Sequence, residues 1–424
     1  MSGEEEWQGV LDRLAAVIDL EESAKEAGAL QRRREIRSAS DLLRMIFAYV
    51  VCDWSLRLVG AWCEVSGVGS LSAVAVRKRL RGSRKWLGTL LGMSLQASLL
   101  RLRQQPGVRV RLMDATCVSE PGSTGTDWRI HLSLDLGNLC VDGVDVTDYR
   151  GGETFARCPI QPGEIRVGDR GYAFANSLEP VLASGGELVG RINWQSLPLE
   201  DATGQPVDLI NCLYQLTEPT GEWAVYLHTP QARFPLRLIV AALPQEQADR
   251  ARQRVRKIYR KKGKTPDKRT LFAAGYVMLV TNLPAFSWLP SEVVELYRLR
   301  WQIELFFKRM KSILHLDHLR AFDPDLAQVY LLGKLLAALL TDQCIRQVRL
   351  SCPAWFTSQQ RPVSPWRLTA LFFDWLRQTV RGQITLAMIL EALPHLTRFL
   401  CDPPRKRPSQ FIQASILLAG LSGG

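Results

Sequence analysis

Over the first hundred residues apolar positions recur with the period of a helix. The stretches at about 40–51 (SDLLRMIFAYVV), 55–65 (SLRLVGAWCEV) and 72–92 (SAVAVRKRLRGSRKWLGTLLG) predict three helices in series. Ser40, Ser55 and Ser72 stand where N-caps belong. From residue 107 the period shortens to two. VRVRLMD (108–114) puts Val108, Val110 and Leu112 on one face, and WRIHLSLDLG (128–137) does so with Trp128, Ile130, Leu132, Leu134 and Leu136. Further strands are expected at 141–148, 164–172 and 187–194. Helical patterns follow the fourth strand and return after 290. Strands followed by alternating units predict an α/β layer domain.

Residues 195–275 interrupt that pattern. Short β-like pieces lead into a basic run, DRARQRVRKIYRKKGKTPDKR (249–269), and the α/β pattern resumes at YVMLVTNLP (276–284). The expected division is a helical N-terminal region at 1–100, a first part of the core at 101–194, a β-rich insertion with a basic arm at 195–275, a second part of the core at 276–325, and a helical C-terminal region at 326–424. The GKT at 263–265 is no phosphate loop, because Ile258 stands where that motif needs glycine.

One later helix carries two patterns at once. Pro290 and Ser291 open it, with Glu292 in the first turn. At about 100° per residue, Leu299, Ile303, Phe306, Phe307, Met310 and Leu314 share one arc, the expected core face. Tyr297, Arg300, Glu304, Lys308 and Lys311 form a second stripe with Trp301 at its edge. Such a stripe is either a solvated face, with Glu304 paired to Arg300 and Lys308, or part of a site.

Charge widens the picture. The net charge of +12 and pI near 9.4 suit a polyanionic partner, or a solvated basic surface. Arg77, Lys78, Arg79, Arg81, Arg84 and Lys85 gather on the third helix, which fits either a helix-turn-helix-like DNA module or a solvated face. The nine cysteines are scattered without C-x2-C spacing, so zinc ribbons and redox pairs are not expected, and a reducing cytosol is. The acidic start, MSGEEEWQGV, does not read as a signal peptide, and no run reaches the roughly 20 apolar residues of a membrane span. His315 and His318 read as a polar helix end rather than a metal pair.

Carboxylates then draw the stripe toward chemistry. Asp114 ends the first strand and Asp169 the fourth, positions where sites form at a sheet edge. Two aspartates and a helical glutamate supply hard oxygens for a pair of Mg²⁺ ions. By pattern alone Asp135, Asp142, Asp145 and Asp148 are equal candidates.

The stripe also carries a resemblance. Tyr297-x2-Arg300-x3-Glu304-x6-Lys311 fits without a gap the Y-x2-R-x3-E-x6-K signature of DDE transposases in the insertion-sequence family numbered four. DAT (114–116), VGDRGY (167–172) and TNLP (281–284) resemble further blocks of that family, as do 30–50 and 55–67 in the N-terminal region. The resemblance spans about 30–320 and fades after 330. It implies a ribonuclease H-like catalytic core with a mainly β insertion, flanked by helical regions. It implies a DDE site of Asp114, Asp169 and Glu304, binding two Mg²⁺ ions for which Mn²⁺ can substitute. Tyr297, Arg300, Lys308 and Lys311 resemble its DNA-contacting residues, and Arg191 is a further candidate. Trp301 is expected either to stack on a displaced base or to be an interfacial aromatic. Arg77, Lys78 and Arg81 are the expected N-terminal DNA contacts. The implied protein is a bacterial, cytoplasmic, nucleoid-associated enzyme without a membrane segment. It would cut double-stranded DNA at an element's terminal repeats and join it to target DNA, as a dimer. The alternatives are a DNA-binding relative that no longer cuts and a nuclease that cuts without joining. The C-terminal region, with Trp355, Trp366, Trp375 and the basic PPRKRPSQ (403–410), reads as dimer contacts or a helical cap.

Overall fold

Polar caps and apolar stripes turn the N-terminal pattern into six helices: α1 (Gly3–Ala15), α2 (Leu20–Glu26), α3 (Ala39–Val50), α4 (Leu56–Val65), α5 (Ala73–Gly82) and α6 (Arg84–Arg103). The computed structural model describes residues 3–103, 108–357 and 363–400. Ser55 and Ser72 cap α4 and α5, accepting from the amides of Leu58 and Ala75. Ser38, rather than the expected Ser40, caps α3. Its hydroxyl accepts from the Asp41 amide at 3.0 Å and donates to the Asp41 carboxylate at 2.7 Å. Ser40 instead sits inside the helix and accepts from the Trp7 indole. The expected third helix divides at Ser83, next to Gly82, whose low helix propensity weakens the turn there.

Alternating segments form one nine-stranded sheet. Its first strands are β1 (Arg109–Val118), β2 (Trp128–Asp135), β3 (Cys140–Asp148), β4 (Glu164–Gly168) and β5 (Glu187–Ile192), with α7 (Ala175–Ala183) between the last two. The order β3-β2-β1-β4-β5 is antiparallel across β3, β2 and β1 and parallel across β1, β4 and β5. This is the ribonuclease H-like arrangement. β1 runs four residues beyond the expected end at 114. β2 goes on pairing with it as far as Val118, whereas β4 pairs only Arg109–Leu112. Asp114 therefore stands just past the point where β1 and β4 part. β4 stops at Gly168, short of the expected 172, because Asp169 begins a turn in which its Oδ1 accepts from the Gly171 amide at 2.8 Å.

The interrupting stretch extends that sheet instead of folding apart from it. It holds β6 (Leu199–Glu200), α8 (Leu209–Tyr214), β7 (Thr220–His228), β8 (Arg233–Ala242), α9 (Gln245–Lys261) and α10 (Lys268–Ala273). β9 (Tyr276–Thr281) then pairs with both β5 and β8, so the order runs on as β5-β9-β8-β7-β6. The expected single helix after 290 is two: α11 (Pro290–Leu299) and α12 (Trp301–Leu314). Around Arg300 the backbone stays right-handed, but bonds close at three residues, Arg300 to Tyr297 and Ile303 to Arg300. Ile303, Phe306, Phe307, Met310 and Leu314 are buried as expected, but Leu299 is 45% exposed. Arg300 takes the inward position and Leu299 turns out. His315, in the left-handed region at φ 54°, ends α12.

The remaining helices are α13 (Pro324–Ser351), α14 (Pro353–Thr357), α15 (Pro365–Arg381) and α16 (Leu386–Leu400). The expected basic segment 403–410 lies outside the described residues. Two compact units result. One contains the described residues of Met1–Leu90, Asp323–Leu340 and Leu371–Gly424, the other those of Leu91–Phe322 and Thr341–Ala370. In the first, buried polar groups find partners. Arg44 donates to the Val380 carbonyl and pairs with Glu4, and fully buried Lys334 holds Asp53 at 2.9 Å. In the second, Arg166 of β4 is fully buried and pairs with Glu164.

Candidate active site

Three elements of the second unit bring three acids toward one place. Asp114 comes from β1, Asp169 from the turn after β4, and Glu304 from the first turn of α12, which packs on β1. The break at Arg300 sets this geometry. Its guanidinium approaches Asp114 Oδ2 at 3.5 Å and pairs with Glu304 one turn on. The acids also sense one another. Burial pushes the Asp114 carboxyl up to about 7, the Arg300 charge and the Ala115 amide oppose it, and Asp169 and Glu304 raise it further.

The donor chemistry fits divalent cations: hard carboxylate oxygens, with Asp114 largely buried and repelled by Asp169 and Glu304, a repulsion that a cation would relieve. Among the described residues no three acidic, histidine or cysteine groups converge closely enough to hold an ion. Arg300 occupies the cationic role between Asp114 and Glu304.

The remaining stripe residues divide. Tyr297 is buried and its hydroxyl has no hydrogen-bond partner among the described residues. Trp301 is 56% exposed, Lys308 is exposed and Lys311 half-buried. Arg191, on β5, neighbours Arg170. Burial and the Arg191 charge hold the Arg170 guanidinium below its ordinary value, while Tyr297 and Asp169 act the other way. A basic flank thus lies beside Asp169. In the first unit, Arg77 and Lys78 are exposed on α5, whereas Arg81 pairs with Asp325 at 3.1 Å and faces Asp323 at 3.6 Å.

The competing acids have other work. Asp142 pairs with Arg109 at 2.6 Å and Arg111 at 3.0 Å, Asp135 faces Arg109, and Asp145 holds Arg157 at 2.7 Å. Asp148 accepts from the Arg150 amide in a turn. Two residues that the sequence does not single out approach the same carboxylates. Glu153 lies against Gly171, and Tyr172 is buried within the field of Asp114, Glu153 and Asp169. Glu153 sits in a loop without periodicity, and Tyr172 reads as an ordinary core aromatic, so no pattern marks either.

The sequence model of the family described as Transposase DDE domain matches residues 106–340. InsL of insertion sequence element IS186A from Escherichia coli (strain K12) is 39% identical over 347 residues, covering 80% of this chain and 94% of that protein. The transposase for insertion sequence element IS421 of Escherichia coli is 38% identical over the same shares of each. That for IS231F of Bacillus thuringiensis subsp. israelensis is 26% identical, covering 93% of this chain and 92% of the relative. A piggyBac transposase, solved in a synaptic complex with hairpin DNA, shows a distant likeness, with a TM-score of 0.44 at 11% identity over 96% of this chain and 86% of that one. By its domain and its close identity to these bacterial proteins, the chain belongs to the DDE transposase family of insertion sequences.

Proposed function

We propose that this transposase cuts DNA at the ends of its own insertion sequence and joins the freed ends to target DNA, with Asp114, Asp169 and Glu304 as its catalytic carboxylates. The observation that carries the assignment is the Arg300 guanidinium, which reaches Asp114 and Glu304 at once. Burial chiefly raises the Asp114 pKa, and the charges of Asp169 and Glu304, from two other elements, add to it. Transposases of this family use divalent metal ions. The hard-oxygen set favours two Mg²⁺, with Mn²⁺ as substitute. When bound, such ions activate the attacking oxygen and neutralise the leaving one. Asp114, Asp169 and Glu304 hold that charge in place, and the packed α12 keeps Glu304 on a rigid element.

The chain's other residues grip and orient the DNA. Arg300, once released from Asp114 and Glu304, pairs with a phosphate beside the scissile bond, and Lys308 and Lys311 follow the backbone along the same face. The orphan hydroxyl of Tyr297 donates to another phosphate. Arg191 adds charge to the flank, and exposed Trp301 stacks on a base displaced near the cut. Water attacks first, leaving a 3′-hydroxyl. That hydroxyl then attacks a second phosphorus, on the opposite strand or in the target, forming a new phosphodiester as the attacked strand's own 3′-oxygen leaves and takes up a proton. In the N-terminal region, 1–100, Arg77 and Lys78 contact element DNA, and Arg81 joins them if it exchanges its aspartates for phosphate. The stretch 195–275 supplies a further basic arm through α9. Two ends require two sites, so the working form is a dimer. No described helix is long and apolar enough to cross a membrane, and we place the protein with the nucleoid.

The test is excision from a plasmid carrying a marker between the DNA segments that flank this gene. Purified protein with Mg²⁺ should release the marker, and Glu304→Ala should not. Specific binding of the flanks without any cutting would favour a DNA-binding relative that has lost catalysis. Cutting without joining would favour a nuclease.

A further inference from the structure

A fourth carboxylate, Glu153, lies beside the three acids assigned above. Its loop joins β3 to β4, just ahead of a 3₁₀ turn at Phe155–Arg157. Four anchors hold that loop. The Gly151 carbonyl accepts from Arg129 at 2.7 Å, and the Gly152 carbonyl from Arg157 at 2.7 Å. The Phe155 amide donates to the Ser177 hydroxyl at 2.9 Å, and its carbonyl accepts from buried Arg166. The backbone fixes Glu153, while its own carboxylate has no ion pair among the described residues. The carboxylate leans over Gly171. A Cβ at 171 would fall 1.7 Å from Glu153 Oε2 and 3.2 Å from Asp169 Oδ1, so both acids crowd the same point. Like charges held this close are unfavourable until a cation joins them.

Tyr172 supplies an independent sign. It is 1% exposed, its hydroxyl has no hydrogen-bond partner among the described residues, and it lies within the field of Asp114, Glu153 and Asp169. Leaving such a buried group unpaired is costly. Its natural use is as a donor to a ligating carboxylate or to a water on the ion.

We propose that Glu153 is a fourth oxygen ligand for a divalent cation on the Asp169 side of the site, with the Tyr172 hydroxyl orienting that ligand set. This rests on the reading of Asp114 and Asp169 as cation-holding acids. Gly171 is then a clearance residue, since any side chain there would push the Glu153 carboxylate aside.

The test is Mn²⁺ binding to the full chain, followed by calorimetry and by the Mn²⁺-induced rise in melting temperature. Glu153→Gln should weaken Mn²⁺ binding by about 10- to 100-fold, yet melt at the same or a higher temperature in EDTA, because it removes a repulsion. A merely structural Glu153 would instead lower the EDTA melting point. Gly171→Ala should reproduce the loss of binding, because only the end of a flexible side chain has to move. Tyr172→Phe should give a smaller loss. The proposal is overturned if Glu153→Gln and Gly171→Ala bind Mn²⁺ like wild type while Asp169→Asn does not. If Asp169→Asn also binds like wild type, the reading of the site itself fails.

Discussion

Arg300 touches two of the three acids and stands over the Tyr297 ring, 5.7 Å from its centroid. A lysine cannot reproduce that fork. Arg300→Lys should therefore lower end cleavage by roughly 10- to 100-fold. Arg300→Ala should also destabilise the metal-free protein by about 1.5–3 kcal/mol, read as a lower melting point in EDTA. The raised pKa of Asp114 gives a prediction with a defined sign. The native carboxyl, near 7, binds its proton more tightly than the unfolded one, near 3.8. Its contribution to stability is full below pH 4 and is lost as pH rises through 7. Metal-free wild type should lose melting temperature between pH 5 and pH 8, in EDTA, by more than Asp114→Asn does. Equal losses in both would show that Asp114 is not the strained acid. A divalent cation opposes the same loss, so its stabilising effect should grow over that pH interval.

Helices and strands show how far pattern alone reaches. Alternation fixes β1 to β5 because each buries one or both faces, and Ser55 and Ser72 are legible because an N-cap is a local bond. The choice of Ser38 over Ser40 turns on Trp7, more than thirty residues away, which no local pattern records. The break at Arg300 has no glycine or proline to announce it. A continuous helical period would bury Leu299, whereas the fold turns Arg300 inward to meet Asp114 on a strand nearly two hundred residues earlier. The three proposed acids and the stripe are marked in the sequence by a family motif, and Glu153 is not, since only the folded loop sets it over Gly171. Two predictions belong to these elements. Trp301 is more than half exposed at the start of α12, so Trp301→Ala should change unfolding stability by no more than about 0.5 kcal/mol while lowering the yield of joined product. On α9, Glu246 and Asp249 pair with Arg250 and Arg252, and beyond them Arg254, Lys257 and Lys261 are exposed. Replacing these three by alanine should reduce the slope of log affinity for DNA against log salt by about two to three. An unchanged slope would remove α9 from the interface.

For the protein as a unit, a net charge of +12 in 424 residues makes phosphate attraction a general background that rises as salt falls. Binding strength by itself therefore says little about where chemistry occurs. Specific end recognition has to survive at a salt concentration that removes the background, and the complex is expected to hold two protein chains and two DNA ends, which its mass in solution would report. The most direct test of the assignment is single-turnover cleavage of a flanking-end duplex, at that salt concentration, with Mg²⁺ or Mn²⁺. Wild type, Asp114→Asn, Asp169→Asn and Glu304→Gln would be compared at saturating protein. The account predicts that all four bind the duplex, and that each variant cuts it roughly a thousand-fold more slowly or worse. A variant that is folded, bound and cutting at the wild-type rate would contradict the place of its acid in the active site.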